Sequence, residues 1–76
     1  MTAVVDAAVS ALEPWVGRMA ADTCMRATAI AVGKTSDELG VADLPAIDEN
    51  IRRLLLPIAP APAIVAILET IHGAAS

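Results

Sequence analysis

A chain of 76 residues leaves room for one domain, and folded chains of this size bury only about 60 to 65% of the surface that their unfolded forms expose. A net charge of −4, a pI near 4.6 and only five unclustered basic residues argue against nucleic acid, whose phosphate backbone is bound by clustered Lys and Arg. The longest uncharged run, Leu54 to Leu68, falls short of the ~20 apolar residues of a membrane span and is interrupted by Pro57, Pro60 and Pro62.

The N-terminal stretch has no basic residue before Arg18 and carries Asp6, so no signal peptide is read there. Cys24 is the only cysteine, which rules out an internal disulfide and suits the reducing cytoplasm. Hydrophobic residues make up 57% of the chain and the mean hydropathy is +0.66, above the ~45 to 50% apolar content of globular domains. With Trp15 as the single aromatic residue, the core must be built from Ala, Val, Ile, Leu and Met, material that favours helices over sheets.

From Ala3 to Leu12, the residues Val4, Val5, Ala8 and Leu12 recur at helical spacing and predict a first amphipathic helix. Glu13-Pro14 predicts a break, because proline disfavours helix in the residue before it and is well suited to a first turn. A second helix is then expected from Pro14 to about Val32. Its predicted inner side carries Val16, Met19, Ala20, Thr23, Ala27, Ile30 and Ala31, and Arg18, Asp22 and Arg26 alternate in sign on the outer side.

Gly33-Lys34-Thr35 carries the letters that end a phosphate-binding P-loop, but the first glycine of that motif falls on Thr28, and no strand precedes it. The same letters predict a helix end: Gly33 in the left-handed conformation, Lys34 neutralising the carbonyl end, and Thr35 with Glu38 as a capping box. A short helical turn over residues 35–39 follows, closed by Gly40.

Asp43 predicts the N-cap of a third helix with Pro45 in its first turn and Leu44, Ile47, Ile51, Leu54, Leu55 and Ile58 on one face. Asp48 with Arg52 and Glu49 with Arg53 stand at i, i+4 in the favourable order. The segment "PIAPAP" ends this helix as a stiff connection; read as a P-x-x-P ligand it lacks the basic flank, which would fall at Leu54. Pro62 starts a last helix with Ile64, Ile67, Leu68 and Ile71 inward, closed by Gly73, and residues 74–76 are expected to fray along with 1–2. The fold class is therefore all-α: one compact bundle of four main helices plus a short helical turn.

Few residues suggest chemistry. Cys24 could act as a nucleophile only with a base in reach, and the one histidine, His72, meets it only if the second and fourth helices pack together. Met19, Cys24, Met25 and His72 are soft ligands but form no metal or haem motif, and no cofactor is expected. Asp37, Glu38, Asp43, Asp48 and Glu49 read as helix starts and a solvated face. In length, acidity and helix count the chain resembles acyl carrier proteins. That family bears its prosthetic group on the serine of a D-S-L motif, whereas here "TSDEL" reverses the order at Ser36-Asp37, so no carrier serine is assigned.

The apolar excess over what four short helices can hide predicts a non-catalytic interaction or regulatory module that self-associates as a dimer, or meets a protein partner, through an apolar helix face. Val9 and Val65, read as lying off the inner stripes of the first and last helices, are the expected interface residues together with Trp15 and Leu68. Trp15 could equally plug the core. A second reading is a binding protein for a small apolar ligand between helices, with Met19, Cys24 and His72 as candidate contacts; an enzyme using Cys24 and His72 is the remote one.

Overall fold

In the computed structural model, which describes residues 3–75, the chain folds into helices α1 (Ala3–Val16), α2 (Arg18–Ala31), α3 (Leu44–Leu55) and α4 (Ala61–Ala75). Two single 3₁₀ turns, Ser36–Glu38 and Val41–Asp43, join α2 to α3, one more than the sequence reading placed. The expected all-α bundle is observed: no strand occurs among the described residues, and no helix is long and apolar enough to cross a membrane. The helices pack as a ring in which α1 touches α2 and α4, while α3 closes the other side against the same two helices.

The core is aliphatic throughout. Val5, Ala8 and Leu12 of α1 meet Ala21 and Met25 of α2, Ile47, Ile51 and Leu55 of α3, and Ile64, Leu68 and Ile71 of α4, with Leu39 closing one end from the linking segment. Spacing of three and four residues places each set on one face, and small alanines let the backbones approach.

The first break lies at Gly17, not at Glu13-Pro14. Pro14 sits inside the last turn of α1, where its missing N–H removes one bond, and burial of Leu12 with partial burial of Val16 carries the helix past it. Gly17 then turns the chain with φ 83° and ψ 162°. It joins both helices, its N–H donating to the Glu13 carbonyl at 2.9 Å and its carbonyl accepting from the Ala21 N–H at 3.1 Å.

α2 is rotated relative to expectation. Ala21, Met25, Thr28 and Ala29 face the core, whereas Met19, Ala20, Thr23, Ala27, Ile30 and Ala31 are exposed. Its charged residues are arranged nearly as read: Arg26 pairs with Asp22 at 3.1 Å, while Arg18 turns to Glu13 at 3.9 Å.

The end of α2 follows the sequence. Gly33 has φ 74°, its N–H donates to the Ile30 carbonyl at 3.1 Å, and the Lys34 N–H donates to the Ala29 carbonyl at 2.8 Å, the paired bonds of a Schellman motif. Thr35 and Glu38 form the predicted box, the Thr35 N–H donating to Glu38 Oε1 at 2.9 Å. The Lys34 ammonium, expected at the carbonyl end of α2, instead donates to both carboxylate oxygens of Asp43 at 3.1 and 3.0 Å.

Asp43 precedes α3 as predicted but does not cap it with its side chain. Its buried carboxylate points back, accepting the Gly40 N–H at 3.0 Å and Lys34 Nζ, and so ties the linking segment to the end of α2. The Gly40 amide first, and then Lys34, hold the Asp43 carboxyl below its usual value near 3.8, and the Thr35 amide and hydroxyl do the same for Glu38. Groups with depressed folded pKa values add stability that is complete above the ordinary carboxylate range and is lost as pH falls through the lowered values. Thermal midpoints should therefore hold from neutrality down to about pH 5 and fall below about pH 4. Asp43→Asn should be less stable at neutral pH and show a shallower acid fall; parallel pH profiles for the two proteins would contradict this role.

α3 buries Ile47, Ile51 and Leu55, with Leu44 and Leu54 half-buried. Ile58, expected on the same stripe, lies beyond the helix end at Leu55 and is exposed. Glu49 pairs with Arg53 at 2.7 Å, but Asp48 turns away from Arg52 to the α4 residue His72, whose Nε2 lies 2.8 Å from Oδ2. α4 starts at Ala61 with Pro62 in its first turn and runs through Gly73 to Ala75, so Gly73 does not close it and residues 74–75 are helical. Residues 1–2 and 76, whose fraying was also expected, lie outside the described residues.

Candidate functional site

The exposed side of α2 forms one wall of an open groove against α3, with a volume near 660 Å³. Val16, Met19, Ala20, Thr23, Cys24 and Ala27 line it from the α1–α2 side, and Asn50 and Leu54 line it from α3. The floor is fixed by a hydrogen-bonded link between the two helices. Buried Thr28 Oγ1 donates to the Cys24 carbonyl at 2.8 Å and accepts from Asn50 Nδ2 at 2.9 Å. The threonine thus bonds back onto its own helix, which satisfies its hydroxyl without water, and the asparagine sets the phase of α3 against α2. No buried side-chain nitrogen or oxygen among the described residues lacks a partner.

Along α2, Ala20, Thr23, Ala27 and Ile30 follow steps of three and four, the spacing of a two-helix seam. Small residues occupy its middle. At its ends Met19 and Ile30 stand out, 85% and 78% exposed. Such a surface offers little to a polar solute; it is shaped for close contact with another apolar element.

The sequence-predicted interface residues divide. Val9 is buried at 4% exposure and Leu68 at 5%, both in the core, so neither can meet a partner while the bundle is intact. Val9 lies on the α1 face turned toward neighbouring helices because residues 5, 8, 9 and 12 form one wide stripe. Val65 is exposed on α4, and Trp15 is 40% exposed in the last turn of α1, so it is not the plug of the core.

Cys24 and His72 are not brought together. Cys24 is half-buried in the α2–α3 groove, and burial pushes its thiol up from its usual value, which keeps it in the less nucleophilic protonated form. His72 lies in a separate depression of about 210 Å³ between α3 and α4, beside Asp48. Met19 points outward, away from His72's depression, and no cluster of His, Cys, Asp or Glu among the described residues is arranged to hold a metal ion.

Ala20, Thr23 and Ala27 were placed in the core from the sequence, and Asn50 was given no role. The signal for α2 was present as a second apolar stripe. For Asn50 the only hint was an uncharged amide between Ile47 and Leu54, near the buried side of α3. Comparison with known protein families, with curated proteins and with solved structures gives no match, so the reading of function rests on this geometry.

Proposed function

We propose that the protein is a small, non-catalytic helical interaction module that self-associates through the outer face of α2 and its groove with α3. The observation that carries this reading is the exposed seam on α2 from Met19 to Ile30. An apolar helix face is normally buried against another element, and α2 buries only one of its two apolar faces within the chain. The seam replaces the α1 and α4 surfaces expected from the sequence, and neither Trp15 nor Val65 lines its groove. The acidic balance and lone cysteine suit a cytoplasmic role in which the module regulates or assembles other proteins through its own pairing.

The reading predicts a dimer of 7.8 kDa chains in sedimentation velocity. Ala27→Glu places an unpaired charge at the middle of the seam and should weaken association on the order of 100-fold, with the helical circular dichroism of the monomer unchanged. A chain that stays monomeric into the high micromolar range overturns the proposal. A second reading is favoured by the groove's volume, which falls within the ~300 to 1,000 Å³ of small-ligand pockets. In that case the native protein retains an added small apolar mass, and Ala27→Glu releases it.

A further inference from the structure

We infer that the α2–α3 groove takes an uncharged, elongated apolar molecule with a hydroxyl or primary amide at one end, and that Asn50 holds that end. This rests on the ligand reading of the groove and specifies the chemistry of what it binds.

The lining sets the charge. None of the eight residues around the groove is charged, and the chain as a whole carries −4. A carboxylate or phosphate entering it would give up water for walls without a cation, and an ammonium would meet no carboxylate. Either head loses hydration without gaining a partner. The cations nearest in sequence to the lining residues are already engaged, Arg26 with Asp22 at 3.1 Å and Arg53 with Glu49 at 2.7 Å. The walls of Val16, Met19, Ala20, Ala27 and Leu54 favour hydrocarbon instead.

The shape follows from α2. Met19 and Ala27 both line the groove and stand eight residues apart, which separates them by ~12 Å along the helix axis. The space is a track along the helix and suits an extended chain.

Asn50 supplies the polar end. Thr28 Oγ1 donates its one hydrogen to the Cys24 carbonyl at 2.8 Å, so toward Asn50 it can only accept. That fixes the amide nitrogen, and not the oxygen, as the atom 2.9 Å from Thr28. Asn50 makes no other hydrogen bond among the described residues, and no buried side-chain oxygen or nitrogen there lacks a partner. Its Oδ1 is therefore accessible, on a residue that lines the groove, with the second amide N–H beside it. An acceptor and a donor side by side are the complement of a hydroxyl or primary amide, each of which also carries both. A ligand without such a head would cover this amide and leave it unpaired, which is the basis of selection. Asn50 stands level with Thr28, toward the C-terminal end of the α2 wall, and Val16 marks the opposite end. The head accordingly lies between Asn50 and Ala27, and the hydrocarbon runs over Ala20 toward Val16.

Isothermal titration of the full chain with octanol, octanamide, octanoate and octylammonium tests the assignment. Octanol and octanamide should bind one per chain, and the two ions at least ~10-fold more weakly. Asn50→Ala removes the partner of the head while Thr28 keeps its bond to Cys24, and octanol should then bind ~10-fold more weakly. Thr23→Lys adds a cation at an exposed groove position and should turn the preference toward octanoate by ~10-fold. Helical circular dichroism verifies that each variant folds; if Asn50→Ala does not, the preference of Thr23→Lys still decides. Octanoate or octylammonium binding the native chain as tightly as octanol, or no gain for octanoate in Thr23→Lys, overturns the uncharged ligand and leaves the groove a binding site. Unchanged octanol affinity in a folded Asn50→Ala overturns the role of Asn50. Binding of none of the four probes overturns the ligand reading and this inference with it.

Discussion

Leu12→Ala is expected to lower the free energy of unfolding by about 3 to 4 kcal/mol, the largest loss among single substitutions considered for this chain. Leu12 is fully buried on α1, the helix that contacts both α2 and α4, so its removal opens a cavity where three helices meet. No ring is available to collapse into the space, because the core is made of aliphatic side chains on closely spaced backbones. A domain of this length has roughly 4 to 11 kcal/mol of stability in total. The loss is thus roughly a quarter or more of the whole, and at ~1 kcal/mol/M it moves the urea midpoint by about 3 to 4 M. Ile30→Ala provides the contrast: the same class of side chain, exposed on α2, should change monomer stability by less than ~0.5 kcal/mol. Equal midpoints for these two variants would mean that the assigned core is wrong.

Why α3 was legible and α2 was not has a physical reason. Around α3, Asp48, Glu49, Arg52 and Arg53 fill the side away from Ile47, Ile51 and Leu55, so only one rotation hides the apolar residues. Around α2 the three charged residues leave apolar stripes on both flanks. Choosing between them requires knowing where α1 and α3 lie, information that no window of the sequence holds. The end of α2 was legible because its signal is local, a glycine within four residues of the bonds it permits. The Thr28–Asn50 bond spans 22 residues and depends on the relative rotation of two helices, and the Asp48–His72 contact spans 24. Both escaped for that reason, as did the α2–α3 groove beside the first and the α3–α4 depression beside the second.

The ambiguity in α2 and its exposed seam have one origin. A sequence that must hide two faces of the same helix gives two competing periodicities, and the bundle can satisfy only the one carrying Met25 and Thr28. The other face remains, with Ile30 and Met19 exposed at its ends and small residues between. Polar substitution there would cost the monomer little, so the monomer fold supplies no reason for its apolar character. Association does.

Gly17→Ala is expected to cost about 2 kcal/mol, and the loss tests how the α1–α2 corner is made. Backbone angles of φ 83° and ψ 162° lie in a region essentially reserved for glycine, where other residues incur ~1 to 3 kcal/mol. A Cβ built at Gly17 meets nothing within 4 Å, so the expected loss comes from the backbone and not from a clash. The alternative open to the alanine variant is to unwind the corner, which breaks the bonds that Gly17 makes to Glu13 and Ala21 and loosens Val16 from the core. Chemical synthesis of a 76-residue chain permits the decisive comparison. D-Alanine at position 17 carries the same added methyl but favours positive φ, and it also restricts the unfolded chain, so it should match glycine or exceed it by up to ~1 kcal/mol. Chemical denaturation of the three proteins should therefore rank L-alanine lowest. If L- and D-alanine lose stability equally, the corner is limited by space and not by handedness, and the assignment of Gly17 as the residue that separates α1 from α2 fails.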